Sequence, residues 1–86
     1  MIFEFDSSKS ESNKKKLGIS FLEAQALWDD PDYIIISAKV VDEERFLIIG
    51  KIEDKHWSGI ITYRDKSVRI ISVRRSRREE IDIYER

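Results

Sequence analysis

Trp57-Ser58-Gly59-Ile60-Ile61-Thr62-Tyr63-Arg64-Asp65-Lys66-Ser67-Val68-Arg69-Ile70-Ile71-Ser72-Val73 is the stretch that decides how the chain folds. Residues 57–63 and 67–73 are rich in β-branched and aromatic side chains, and Arg64-Asp65-Lys66 between them reads as a tight hairpin loop. A connection that short makes the two strands antiparallel neighbours. Upstream, Tyr33–Ser37 and Glu44–Ile49 have the same strand composition, with Asp42-Glu43 and Glu53-Asp54-Lys55 as the turns of a meander.

Working outward, Ile2-Phe3-Glu4-Phe5 alternates and predicts a short first strand. Asp6-Ser7-Ser8 offers N-cap chemistry for a polar helix over residues 7–17, closed by Gly18 at the C′ position. Lys14-Lys15-Lys16 complements the negative end of that helix's dipole. Ser20-Phe21-Leu22-Glu23 is a capping box opening a second helix, whose Phe21, Ala24, Leu27 and Trp28 form a core-facing stripe. Asp29-Asp30-Pro31 stops it. Ser76-Arg77-Arg78-Glu79 reads as another capping box, starting a third helix with Ile81 and Tyr84 on one face. The order β-α-α-β-β-β-β-α predicts an α+β domain, an antiparallel sheet with helices grouped at the chain ends. Strands 44–49, 57–63 and 67–73 are expected in one antiparallel sheet, with the Phe21–Trp28 helix on one face.

Eighty-six residues leave room for one core, so a single domain over 1–86 is expected. There is no cysteine, so disulfides are excluded and a reducing, cytoplasmic setting is expected. The start lacks the basic and apolar pattern of a signal peptide, and no apolar run approaches membrane-spanning length, so no membrane association is expected.

Net charge is −1, but it is unevenly spread. Residues 25–56 carry eight acids against four bases, whereas residues 57–86 carry eight bases against five acids. Arg69, Arg74, Arg75, Arg77 and Arg78 fall within ten positions. Such a cluster attracts phosphate locally even on an acidic protein, because screening makes near charge count for more than the total; it also fits a solvated, salt-bridged face.

Several chemistries are struck off. His56 is the single histidine and cysteine is absent, so no zinc site of the usual ligand set can be assembled, and no phosphate-cradling glycine loop is present. A triad would need His56, which beside Trp57 and a charged turn reads as a surface imidazole. What remains is the arginine-bearing strand and its exit. Period-two alternation places Arg69, Ile71 and Val73 on one face, and Val68, Ile70, Ser72 and Arg74 on the other. An arginine in an apolar strand must be paired or face a cleft. Arg69 or Arg74 grips a phosphate with its planar fork, or pairs with Glu44, Glu79 or Glu4; the residues alone leave both open. Tyr63, Tyr84 and Trp57 offer hydroxyls or stacking surface, while Trp28 sits on the core stripe.

The ordered set Phe5-Asp6, Lys9, Asn13, Lys16, Gly18, Ile19-Ser20-Phe21, Glu23-Ala24, Asp30-Pro31, Glu44-Arg45-Phe46, Ile49-Gly50, Tyr63, Arg69-Ile70-Ile71-Ser72, Arg74, Arg78-Glu79 and Tyr84 resembles the BrnT family over nearly the whole chain. The resemblance implies a small RelE-like domain and an RNA-cleaving, growth-arresting toxin. It also implies a BrnA-like antitoxin carrying a ribbon-helix-helix DNA-binding domain, through which alone the toxin would meet DNA. One position departs: the family commonly has a histidine before the glycine ending the first helix, and here Leu17 stands there.

The expected reaction is metal-independent and cofactor-free cleavage of mRNA, with the ribose 2′-hydroxyl attacking the adjacent phosphate and breaking its bond to the 5′-oxygen, to leave a 2′,3′-cyclic phosphate and a free 5′-hydroxyl. Arg69 and Arg74 are the candidates for neutralising the phosphoryl charge. Lys9, Arg45, Arg75 and Arg78 are candidates for holding flanking phosphates. Lys16 and Tyr84 are candidates for proton transfer, provided the site lowers their pKa from about 10. Glu79 is a further candidate base, although its capping-box position already gives it a structural role. The competing expectation, favoured by Leu17 and the acidic balance, is a non-catalytic module that binds its antitoxin and co-represses their shared promoter.

Overall fold

The computed structural model describes residues 1–38 and 42–86. Its elements are β1 (Ile2–Glu4), α1 (Ser7–Leu17), α2 (Phe21–Ala24) running into a 3-10 turn (Gln25–Asp29), β2 (Ile34–Ser37), β3 (Phe46–Ile52), β4 (Lys55–Arg64), β5 (Ser67–Arg75) and α3 (Arg78–Tyr84). The five strands form one sheet in the order β1-β5-β4-β3-β2. β2, β3, β4 and β5 pair antiparallel, the last three joined by short turns, so the fold is α+β with helices flanking the sheet. β1, whose partner the sequence left unassigned, joins the edge of this sheet parallel to β5, through Ile2–Ser67, Phe3–Val68 and Glu4–Arg69. A parallel neighbour is available because the intervening helices and strands supply the long crossover that parallel pairing needs.

α1 is polar almost throughout, and local chemistry makes it helical. The Asp6 carboxylate accepts from the Lys9 N–H, and Gly18 (φ 84°) closes the helix by donating its N–H to the Lys14 carbonyl. Two hydrogen bonds moor it to the next segment: Asn13 Nδ2 donates to the Ile19 carbonyl at 2.8 Å, and the Phe21 N–H donates to Ser10 Oγ at 2.8 Å. The Ser20–Glu23 capping box forms, and Glu23 also takes Lys14 Nζ at 2.9 Å. Of the three lysines, Lys14 is thus tied by an ion pair as well as by the helix dipole.

The second helix is shorter than its apolar stripe suggested, with only one α turn before it tightens to 3-10. Asp30 fixes its end, accepting from the N–H groups of Asp32 (2.9 Å) and Lys51 (2.7 Å). Phe21, Ala24 and Leu27 are buried against Ile48, Ile61, Val68, Ile70 and Val73 of the inner sheet face, with Trp28 packed at the margin, its ring edge-on to Phe3 at 4.8 Å. Gly50 lets the 3-10 turn come this close: a Cβ there would stand 3.1 Å from Leu27 and 3.3 Å from Asp30.

The alternation along β5 is broken. Ile60 pairs with Ser72 but Ile61 pairs with Ile70, so Ile71 is an extra residue, a β-bulge. The bulge returns Val73 to the inner face beside Val68 and Ile70, and it places Arg69 and Arg74 together on the outer face. This overturns the period-two assignment, which set Val73 with Arg69 and put the two arginines on opposite faces. Among the described residues no helix is long and apolar enough to cross a membrane.

Candidate functional site

β1 accompanies β5 only as far as Arg69. From Ile70 to Arg75 no strand among the described residues lies on that side, and α1 runs alongside instead. Between the helix and the bulge is a groove of about 220 Å³ lined by Lys9, Asn13, Lys16, Leu17, Ile71 and Ser72. The bulge shapes it by pushing an additional residue out of the ladder, a common arrangement beside functional sites. Leu17 is 46% exposed, so its side chain belongs to the surface of this groove rather than to the core.

Arg74 stands at the same strand margin, on the outer face, opposite Ser58. Its two terminal nitrogens meet the two oxygens of Glu80 at 2.8 Å each. Glu80 also accepts from Ser58 Oγ (2.9 Å) and the Arg77 N–H (2.8 Å). The bond to Arg74, helped by the Arg77 N–H and Ser58, holds the buried Glu80 carboxyl down at about 2, and the same contact raises Arg74. The α3 capping interaction is therefore one residue later than its sequence suggested: Arg77 is the N-cap and Glu80, not Glu79, reaches back. Ser76 cannot serve as the cap because Ser58 takes its hydroxyl (2.7 Å) and its N–H donates to the His56 carbonyl.

Arg75 is exposed on the other face of the strand, its guanidinium 5.4 Å from the Trp57 ring and its Nε donating to the His56 carbonyl. Arg78 is exposed at the first turn of α3. Lys9 and Lys16 thus line the groove, while Arg74 and Arg75 follow it along β5 on opposite faces of the strand, with Arg78 beyond the strand end. The remaining candidates lie elsewhere. Arg69 is at the other end of β5, paired to Glu4 at 3.3 Å, so one of its anticipated ion-pair partners is the real one. Four to five residues of strand separate Arg69 from Arg74, roughly 13–16 Å, and their carboxylate partners hold them apart. Arg45 is exposed in the segment before β3.

Tyr84 points to a different region. Its hydroxyl donates to Asp30 Oδ2 at 2.7 Å, and it lines a hollow of about 510 Å³ with Asp29, Asp30, Asp32, Lys51 and Glu53. Burial, and then the contact with Asp30, push its pKa up, opposite to the direction proton transfer at neutral pH needs. The acidic lining is also a poor place for phosphate. His56 is not the free surface imidazole its neighbours suggested: its side chain is 16% exposed, Nε2 contacts Glu85 at 2.7 Å, and the ring meets Tyr84 edge-on. Glu80 was missed altogether; the signal lay in its spacing of three from Arg77. No three His, Cys, Asp or Glu side chains among the described residues converge as metal ligands.

No curated protein matches the chain. A family model does, over residues 5–80, from the start of α1 through the bulged strand to Glu80; its description is "Ribonuclease toxin, BrnT, of type II toxin-antitoxin system". With the match running over most of the sequence and including Leu17, the β5 margin and the Arg74–Glu80 pair, the chain belongs to the BrnT toxin family, whose members pair with a cognate antitoxin.

Proposed function

We propose that this toxin is a metal-independent endoribonuclease that receives a single RNA strand along the β5 margin. The observation that carries the reading is the groove in which Lys9 and Lys16 of α1 face the bulge at Ile71 and Ser72, on a strand edge that no other strand among the described residues occupies, with Arg74 and Arg75 following along β5. Lys9, Arg75 and Arg78 hold backbone phosphates and set the register. Arg74 meets the charge that gathers as the 2′-hydroxyl attacks, its fork kept in one orientation by Glu80. Arg69 and Arg45 stand too far along the sheet to share that phosphate and contact flanking RNA. Lys16, in the groove, is the remaining candidate for proton transfer, since Tyr84 is held by Asp30. The antitoxin is a BrnA-like protein with a ribbon-helix-helix domain, and any contact with promoter DNA goes through it.

A second reading has its own support. Arg69 and Arg74 are both satisfied by carboxylates of the chain itself, and Leu17 offers no acid or base, which favours a module that binds antitoxin without cutting RNA. One experiment separates them: antitoxin-free protein is incubated with RNA in EDTA and the product ends are analysed. Fragments ending in 2′,3′-cyclic phosphate, lost in Lys16→Ala and Arg75→Ala, support the nuclease; intact RNA at high enzyme concentration supports the module.

A further inference from the structure

Among the described residues, a helix covers the outer face of the sheet at one end only; at the other, Thr62 is buried with its hydroxyl on the Glu44 carbonyl. Successive cross-strand rows on this face are Ile34–Ile49–Ser58–Arg74 and Ile36–Leu47–Ile60–Ser72. The first row is closed off by α3 and Glu80, and Ile49 is fully buried there. In the second, Ile36 is 36% exposed and Leu47 and Ile60 are half-buried, with no helix among the described residues over them. Beyond it lie Arg69 and Arg64, which share one carboxylate, Glu4, at 3.3 and 3.8 Å, while Glu43 is 3.9 Å from Arg64. Three aligned aliphatic side chains flanked by two guanidiniums with loosely held partners make an amphipathic surface.

We propose that this open half of the outer face is where the antitoxin docks, with an amphipathic helix whose apolar stripe covers Ile36, Leu47 and Ile60 and whose acidic side chains bond Arg64 and Arg69. The inference rests on the reading of the chain as a toxin with a protein antitoxin. Size favours a helix: from Ile60 to Arg64 is four residues, about 13 Å of strand, and a helix with its side chains is about 10 Å across, so one fits beside α3. The aliphatic row offers RNA neither hydrogen bonds nor stacking surface, and the shared Glu4 leaves guanidinium donors for an incoming carboxylate. A helix here covers Arg69 and borders Arg74, so docking and phosphate binding exclude one another.

The chain has no cysteine, so Ile36→Cys carries a single benzophenone label. With the antitoxin co-expressed from the adjacent reading frame, illumination of the complex is expected to join position 36 to an acidic amphipathic helix of the antitoxin. Crosslinking to a second copy of this chain, to RNA, or to nothing while the complex stays intact overturns the proposal. As a second measurement, Leu47→Asp should weaken antitoxin binding by about 100-fold, the loss of a hot-spot contact. Unchanged affinity also overturns it. RNA cleavage by the free wild type is scored separately, so a protein that cuts no RNA fails the nuclease reading without deciding where the antitoxin sits.

Discussion

Leu17 stands where the resemblance led us to expect a histidine, and the structure places that position at the surface. Leu17 is largely exposed on the groove beside Lys16 and Ser72, so a histidine there would meet solvent and RNA instead of displacing core. We expect Leu17→His to leave stability within about 0.5 kcal/mol, as surface changes generally do. If the nuclease reading holds, the variant should cleave RNA roughly 100- to 10,000-fold faster, the range for a positioned acid or base. Single-turnover time courses beside melting curves check both. A variant that cuts no faster removes the chemical interest of the position.

Glu80 carries the clearest pH prediction. Its pKa falls from an ordinary 4.5 to about 2 on folding, so the folded state favours the ionised form. The stabilisation is fully present above about pH 5 and is lost as pH falls through the window from 4.5 towards 2. Glu80→Gln should flatten the acid limb of the stability curve and destabilise the protein at pH 7 by roughly 3 kcal/mol, because Arg74 loses its charged partner. Urea titrations of both proteins between pH 2 and pH 7 would show it; curves that stay parallel throughout would contradict the pairing.

At the scale of elements, α1 and β5 deserve separate tests. α1 ends on Gly18 at φ 84°, where an added Cβ meets nothing within 4 Å. Gly18→Ala should therefore cost about 1 kcal/mol from left-handed backbone strain alone, seen as a lower melting temperature with an unchanged fold. The bulge in β5 makes a less ordinary prediction. Deleting Ile71 would pair Ile70 and Ser72 as neighbours opposite Ile61 and Ile60, and Val73 would stay opposite Gly59 on the inner face. The deletion should thus fold, losing about 1–2 kcal/mol for a half-buried isoleucine. It should also straighten the strand margin and lose the groove against Lys9 and Lys16. Cleavage that survives in a folded deletion variant would place the chemistry elsewhere.

For the whole molecule, charge placement outweighs charge total. The chain is acidic by one unit, yet Lys9 and Lys16 line the groove beside β5, with Arg75 and Arg78 at and beyond the strand's end, while acids line the hollow near Tyr84. Four phosphate contacts to single-stranded RNA imply a slope of about −3 in log affinity against log salt, and removing Lys9 should reduce it by about 0.7. Filter binding across a salt series measures this directly. A slope near zero would mean that no phosphate-lined strand occupies the margin.

The division between what could be read along the chain and what needed the folded molecule follows the range of the forces. Helix α1 was legible to the residue because Asp6, Lys9 and Gly18 are near neighbours and capping depends on nothing distant. The Arg64-Asp65-Lys66 hairpin and the Phe21–Leu27 stripe were legible for the same reason. The site was only partly so. Lys9, Lys16, Arg74 and Arg75 were picked by type, but the groove between the two lysines and β5 depends on a bulge set by the register of β5 against β4, which no local rule fixes. Choosing Glu80 over Glu79 needed the strand to hold Ser76 in place, and Glu4 as the partner of Arg69 needed two residues 65 apart to be paired by the parallel strand β1. Side-chain chemistry is a property of each residue, whereas an ion pair, a face or a groove belongs to positions brought together in space, and burial sets how strongly they act.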